Sequence, residues 1–140
     1  MGQQQLLLII LGVIVVGIAV AVGVTMFNDS AVSANRDAVT NDLVNFASRC
    51  QQFYRRPQAL GGGGGSFVGI NDMKSLTKTN VASYTNGNGT YTVSAAGTAT
   101  TVQLQGLGTE TGNDGTTKVK VTMDVWADSA RVNQTGSNFN

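Results

Sequence analysis

Hydrophobic and polar positions divide the chain into three regimes. From Leu6 to Val24 every residue is apolar or small, a run of 19 that at ~1.5 Å per residue spans roughly 29 Å, the thickness of a bilayer's hydrocarbon. The pattern then becomes periodic. Val32, Val39, Leu43, Phe46, Cys50 and Phe53 are spaced by seven, four, three, four and three, which places them on one face of a helix. Arg36, Asp37, Asp42, Arg49 and Arg56 fall largely elsewhere. Pro57 ends the repeat, because a proline disfavours the helical conformation of the residue before it. One helix from near Gly2 to Arg56 would be about 80 Å long, apolar all round in its first half and amphipathic in its second.

Next comes "PQALGGGGGSFVGI". Glycine in a regular element costs up to ~1 kcal/mol relative to alanine, so five in a row read as a hinge or a tight loop. It is not a phosphate-binding loop, since no Gly-Lys-Ser/Thr follows and no strand-to-helix context surrounds it. Asn71 or Asp72 is a candidate cap for a short helix through Leu76. From Tyr84 onward the period is two. Tyr91-Val93-Ala95, Thr100-Val102-Leu104 and Val119-Val121-Met123-Val125 each alternate with polar neighbours, as strands with one buried face do. Asn86-Gly87, Asn88-Gly89, Ala96-Gly97 and Gly112-Asn113-Asp114-Gly115 supply the turns between them.

These elements predict an α+β fold, in which the long helix packs on a three- or four-stranded antiparallel meander. Nothing but the amphipathic half of the helix is available to cover the apolar face of the sheet. Val39, Leu43, Phe46, Cys50 and Phe53 are the expected helix–sheet core. Trp126 alternates with Val125 and is expected on the opposite face or at an interface. The chain is thus read as an apolar helix over 1–28, its amphipathic continuation over 29–57, a glycine-rich loop over 58–70 and a β head over 71–140.

Charge sharpens the first boundary. No Asp, Glu, Lys or Arg precedes Asp29, and all 9 basic and 8 acidic residues follow. A net charge of +1 with scattered basic residues argues against a nucleic-acid partner. There is no His, and no set of nucleophile, base and orienter is evident, so neither catalysis nor a cofactor is expected. The lone Cys50 falls on the apolar stripe and reads as buried and inert. Asn113-Asp114-Gly115 with Asp124 and Asp128 lacks the spacing of a dense oxygen-ligand loop and reads as a turn plus solvated strand charges. Arg36, Asp37, Asp42 and Arg49 are expected to be solvated or to bridge subunits. Asn28-Asp29-Ser30, Asn88-Gly89-Thr90 and Asn133-Gln134-Thr135 match the N-glycosylation pattern, which arises readily by chance in a Thr- and Asn-rich sequence. Asn28, Asn88 and Asn133 stand as candidates only.

The apolar run could serve as a secretion signal, an anchor or an assembly element. It is longer than a usual signal core and no basic residue precedes it. A helix that is apolar and then amphipathic, joined by a loop to an antiparallel sheet and beginning "QLLLIILGVIV", resembles a type IV pilin or pseudopilin. The resemblance implies a precursor held in the inner membrane and trimmed by a prepilin peptidase. Dedicated assembly machinery then builds it into an extracellular homopolymer, with the apolar helices bundled at the axis. Leu6, Leu7, Ile10, Gly12, Val13, Gly17, Ala21 and Gly23 would then form the polymerisation core, and Met1, if it is the mature first residue, would be the site of N-methylation. Gly17-x-x-x-Ala21 and Ala19-x-x-x-Gly23 have the spacing that lets helices approach closely.

The family places an acidic residue where this chain has Gln5, to pair with the terminal amine of a neighbouring subunit. An amide can accept a hydrogen bond there but offers no charge, so Gln3, Gln4 and Gln5 are expected to contact that terminus as a hydrogen-bonding cluster. Family members lacking the acid are often minor, tip-located subunits. The family's helix proline is absent near Val22. Even so, the β-branched residues and glycines from Gly12 to Gly23 are poor helix formers in water, and part of this segment is expected to lose regular helical bonding in the polymer. Two alternatives remain open. One is a type II secretion pseudopilin, major or minor; the other is a monomeric membrane-anchored surface binding module.

Overall fold

A computed structural model describes residues 2–112 and 114–133. Met1, Asn113 and the Gln134-Thr135 part of the third glycosylation tripeptide lie outside them. The elements are α1 (Gly2–Arg55), a 3-10 turn (Gln58–Leu60), α2 (Lys74–Thr77), β1 (Tyr84–Thr85), β2 (Gly89–Ala95), β3 (Thr101–Thr111), β4 (Lys118–Trp126) and β5 (Ala130–Val132). The fold is α+β, a 54-residue helix packed against a five-stranded antiparallel sheet in the order β1-β2-β3-β4-β5. The chain divides into two compact units at Ala31/Val32.

In the first unit α1 is unbroken, and Gly12, Gly17 and Gly23 do not interrupt it in the single chain. The hydroxyls of Thr25 and Ser30 donate back to the carbonyls of Val22 and Met26 at 2.8 and 2.9 Å, so these polar side chains are satisfied within the helix itself.

In the second unit the expected stripe is the buried face of the helix. Val39, Leu43 and Cys50 are fully buried, with Val32, Phe46 and Ala47 beside them and Phe53 half-buried against the cluster. The stripe meets Tyr91 of β2, Val102 and Leu104 of β3, and Val119, Val121, Met123 and Val125 of β4. Phe46 packs its ring 5.2 Å from that of Tyr91 and 5.5 Å from that of Tyr84. Leu104 stands opposite both Val93 and Met123, so one inward row runs across three strands.

Three features depart from the alternation expected of the sheet. Two short edge strands, β1 and β5, raise the count to five; with two and three residues they are too short to carry a period. Thr100 precedes β3, and Ala95 is exposed because the register shifts between Val93 and Ala95. The inner face of β3 continues past Leu104 through Gly106 and Gly108, both buried. A Cβ on Gly106 would lie 2.5 Å from Cγ1 of Val39, and one on Gly108 would lie 2.0 Å from Oδ1 of Asn35. The helix therefore crosses the sheet most closely where the strand has no side chains.

The five-glycine loop is a tight loop that closes the end of α1. Amides of Gly63, Gly64 and Gly65 donate to the carbonyls of Phe53, Arg56 and Tyr54 at 2.8, 2.9 and 2.8 Å. Phe53 and Tyr54 lie in the last turn of the helix, whose carbonyls have no partner within it, and Arg56 is the residue just past its end. A Cβ on Gly63 would sit 1.8 Å from the Ser66 carbonyl oxygen, so glycine is required there for close approach. Beyond the loop, Phe67, Ile70 and Met73 are fully buried and extend the core. Asp72 accepts the Lys74 amide at 3.0 Å, although Met73 holds the cap position of α2.

Candidate assembly surface

The first unit has no core of its own. Sixteen large apolar side chains from Leu6 to Phe27 are between 50 % and 75 % exposed. They surround the helix, since the segment has no polar stripe on any face. The helix is long and apolar enough to cross a membrane. The expected polymerisation residues Leu6, Leu7, Ile10, Gly12, Val13, Gly17, Ala21 and Gly23 all lie on this exposed surface. Nothing stands within 4 Å of where a Cβ would project from Gly12, Gly17 or Gly23. Gln3, Gln4 and Gln5 are exposed at the start of the helix.

Polar chemistry in the second unit concentrates on Asp42. Its Oδ2 accepts from the Tyr91 hydroxyl at 2.6 Å, from Asn88 Nδ2 at 2.8 Å and from Asn86 Nδ2 at 2.9 Å. Desolvation opposes the charge, but the hydrogen bonds from Tyr91, Asn88 and Asn86 outweigh it and hold the carboxyl below its ordinary range. Burial first, then the hydrogen bond and charge of Asp42, push the Tyr91 hydroxyl up. Within the chain, Asp42 ties α1 to the β1–β2 turn and to β2, a role its charge alone did not suggest. Helical spacing carries a signal for this, because Asp42 lies three residues after Val39 and four before Phe46 and so borders the buried stripe.

The same node engages Asn88. Besides donating to Asp42, it accepts at its backbone carbonyl from Asn35 Nδ2 at 2.9 Å, so its side-chain nitrogen is already engaged within the chain. Asn133 donates to Asp124 Oδ2 at 2.9 Å, while Asn28 is exposed. Asp124 also accepts from Gln103 at 2.7 Å, so it is a cross-strand partner rather than a solvated charge. Asp114 forms a turn with Thr116 and Thr117; the Thr117 side chain and amide, with the Thr116 amide, hold its carboxyl below the ordinary range. Burial pushes the Cys50 thiol up to about 12, which leaves it a protonated core residue at neutral pH. Trp126 is half-buried on the face opposite Val125, and its carbonyl accepts from Gln51 at 3.2 Å.

No protein-family model, curated protein or solved structure matches this chain. The architecture is pilin-like. It rests on the long helix with an apolar start and on the antiparallel sheet packed against its second half. An apolar N-terminal helix of this kind suggests membrane or secretion targeting.

Proposed function

We propose that this chain is a structural subunit, without enzymatic activity, that polymerises through its N-terminal helix into an extracellular type IV pilus-like filament. Before assembly it would reside in the inner membrane, where a prepilin peptidase and the assembly machinery act on it. The observation that carries this reading is the exposed apolar circumference of α1 from Leu6 to Phe27. At about 25 cal/mol per Å² of apolar area, leaving so much of it in water is prohibitive, and a surface without a polar side is satisfied by lipid before assembly and by its own copies afterwards. The Gln3-Gln4-Gln5 cluster would serve the contact with a neighbouring terminus in place of an acidic residue.

Electron microscopy of sheared surface material, with mass spectrometry of the N-terminal peptide, tests the proposal. Micrometre fibres containing this chain are expected. Short fibres confined to the envelope would favour a secretion pseudopilin instead, and a monomer that stays in the membrane would favour an anchored binding module.

A further inference from the structure

The exposed charges of the long helix and its end change sign along the chain, from Asp29 and Asp37 to Arg49, Arg55 and Arg56. Arg49 of α1 and Arg56, one residue past its end, are both exposed. With Lys78 they line a groove of about 580 Å³ beside α2. Arg49 donates to the Leu76 carbonyl at a long 3.5 Å and lies 5.9 Å from the Phe46 ring centre. Among the described residues, none of these three cations has a carboxylate partner. Earlier in the helix the exposed charge is acidic. Asp37 is exposed and has no cationic partner among the described residues. On the neighbouring sheet the charge is mixed: exposed Glu110, whose amide meets Asn35 Oδ1 at 3.4 Å, lies beside exposed Lys118, which stands opposite Thr111. Asp37 precedes Arg49 by ~18 Å and Arg56 by ~28 Å along the helix, and is turned from them by about 100–120°.

We propose that the groove bordered by Arg49, Arg56 and Lys78 receives Asp37 of a second copy of this chain. The inference rests on the polymerisation reading and adds the contact that orders the heads. The two patches are different surfaces, so the contact is heterologous: each copy offers one groove and one acid, and the interface propagates from copy to copy unless its rotation closes a ring. The charges are complementary within a single sequence, and the net charge of +1 gives a foreign polyanion little long-range attraction. Contacting copies would be displaced by about 18–28 Å along α1.

Charge exchange in the full-length chain, expressed in its membrane, tests this. R49E/R56E and D37R should each lower filament yield by about tenfold or more, since like charges then face each other, and the triple variant D37R/R49E/R56E should restore it. Protease resistance of the head, measured on every variant, separates lost contact from lost folding. A short bis-maleimide should convert D37C/R56C filaments into a ladder of multimers, with neither single variant forming one. The proposal is overturned by wild-type yields from R49E/R56E, by a folded triple variant that stays defective, or by dimers from D37C alone. It is also overturned if R49E/R56E loses only retention on a heparin column, which would make the groove a polyanion site. Absence of filaments from the wild-type chain would instead remove the polymerisation reading itself.

Discussion

The two halves of α1 both carry many large apolar residues, and these meet different ends. From Val32 to Phe53 the large apolar residues recur about once per turn, and the stripe they form is covered by β2, β3 and β4. From Leu6 to Phe27 they stand on every side of the helix, and all sixteen are at least half exposed. A single apolar stripe can be completed by its own chain, whereas an apolar cylinder needs an apolar surrounding that a small head does not supply. The glycines repeat the contrast. Gly106 is pressed against Val39, while Gly12, Gly17 and Gly23 meet nothing.

The comparison breaks first at the large apolar side chains. Leu43→Ala should destabilise the head by about 2–5 kcal/mol, read by denaturant unfolding of the full-length protein in detergent. Leu8→Ala should leave that unfolding midpoint unchanged, and equal effects from the two would end the distinction. Next in size is Gly106→Ala, which drives a methyl group into Val39 and the Tyr91 ring and should cost about 1–3 kcal/mol by overpacking.

Asp42→Asn should follow, at roughly 1–2 kcal/mol near neutral pH for a partly exposed, charge-assisted acceptor. Its pH dependence gives a sharper reading. The folded carboxyl titrates below its ordinary value, so its contribution is complete above the unfolded value of about 3.9 and disappears as pH falls through the folded one. The wild-type head should therefore lose stability over that acidic range more steeply than the Asp42→Asn variant, and parallel acid profiles would remove Asp42 from the account. The smallest effect should come from Gly17→Ala, which raises helix propensity by up to ~1 kcal/mol and leaves head unfolding unaltered. If that variant nevertheless forms fewer filaments, the small residue serves a neighbouring copy.

Periodicity makes the long elements legible. Seven–four–three spacing names the buried face of α1, and the alternation about Val102, Val121 and Met123 names the inward face of the sheet. The short edges are invisible to it because β1 and β5 carry too few residues for a period. Phe67, Ile70 and Met73 are invisible because loop residues that fill a core follow no repeat. Asp42 is legible only in its position, which spacing puts beside the buried stripe, and not in its partners. Its charge suggests solvent, and its three donors come from positions 44 to 49 residues away.

Residue order was enough to require one helix apolar all round and then amphipathic, strands after it, and packing of the two. These are consequences of residue type and local spacing, which set which side chains share a face. The close approach of the helix over Gly106 and Gly108, and the closing of the last turn of α1 by the glycine loop, emerged in the folded chain. So did the three-donor link from Asp42 to the β1–β2 turn and β2. Those outcomes depend on which distant atoms compete for the same space or the same hydrogen, and such competition exists only once the chain has been brought together.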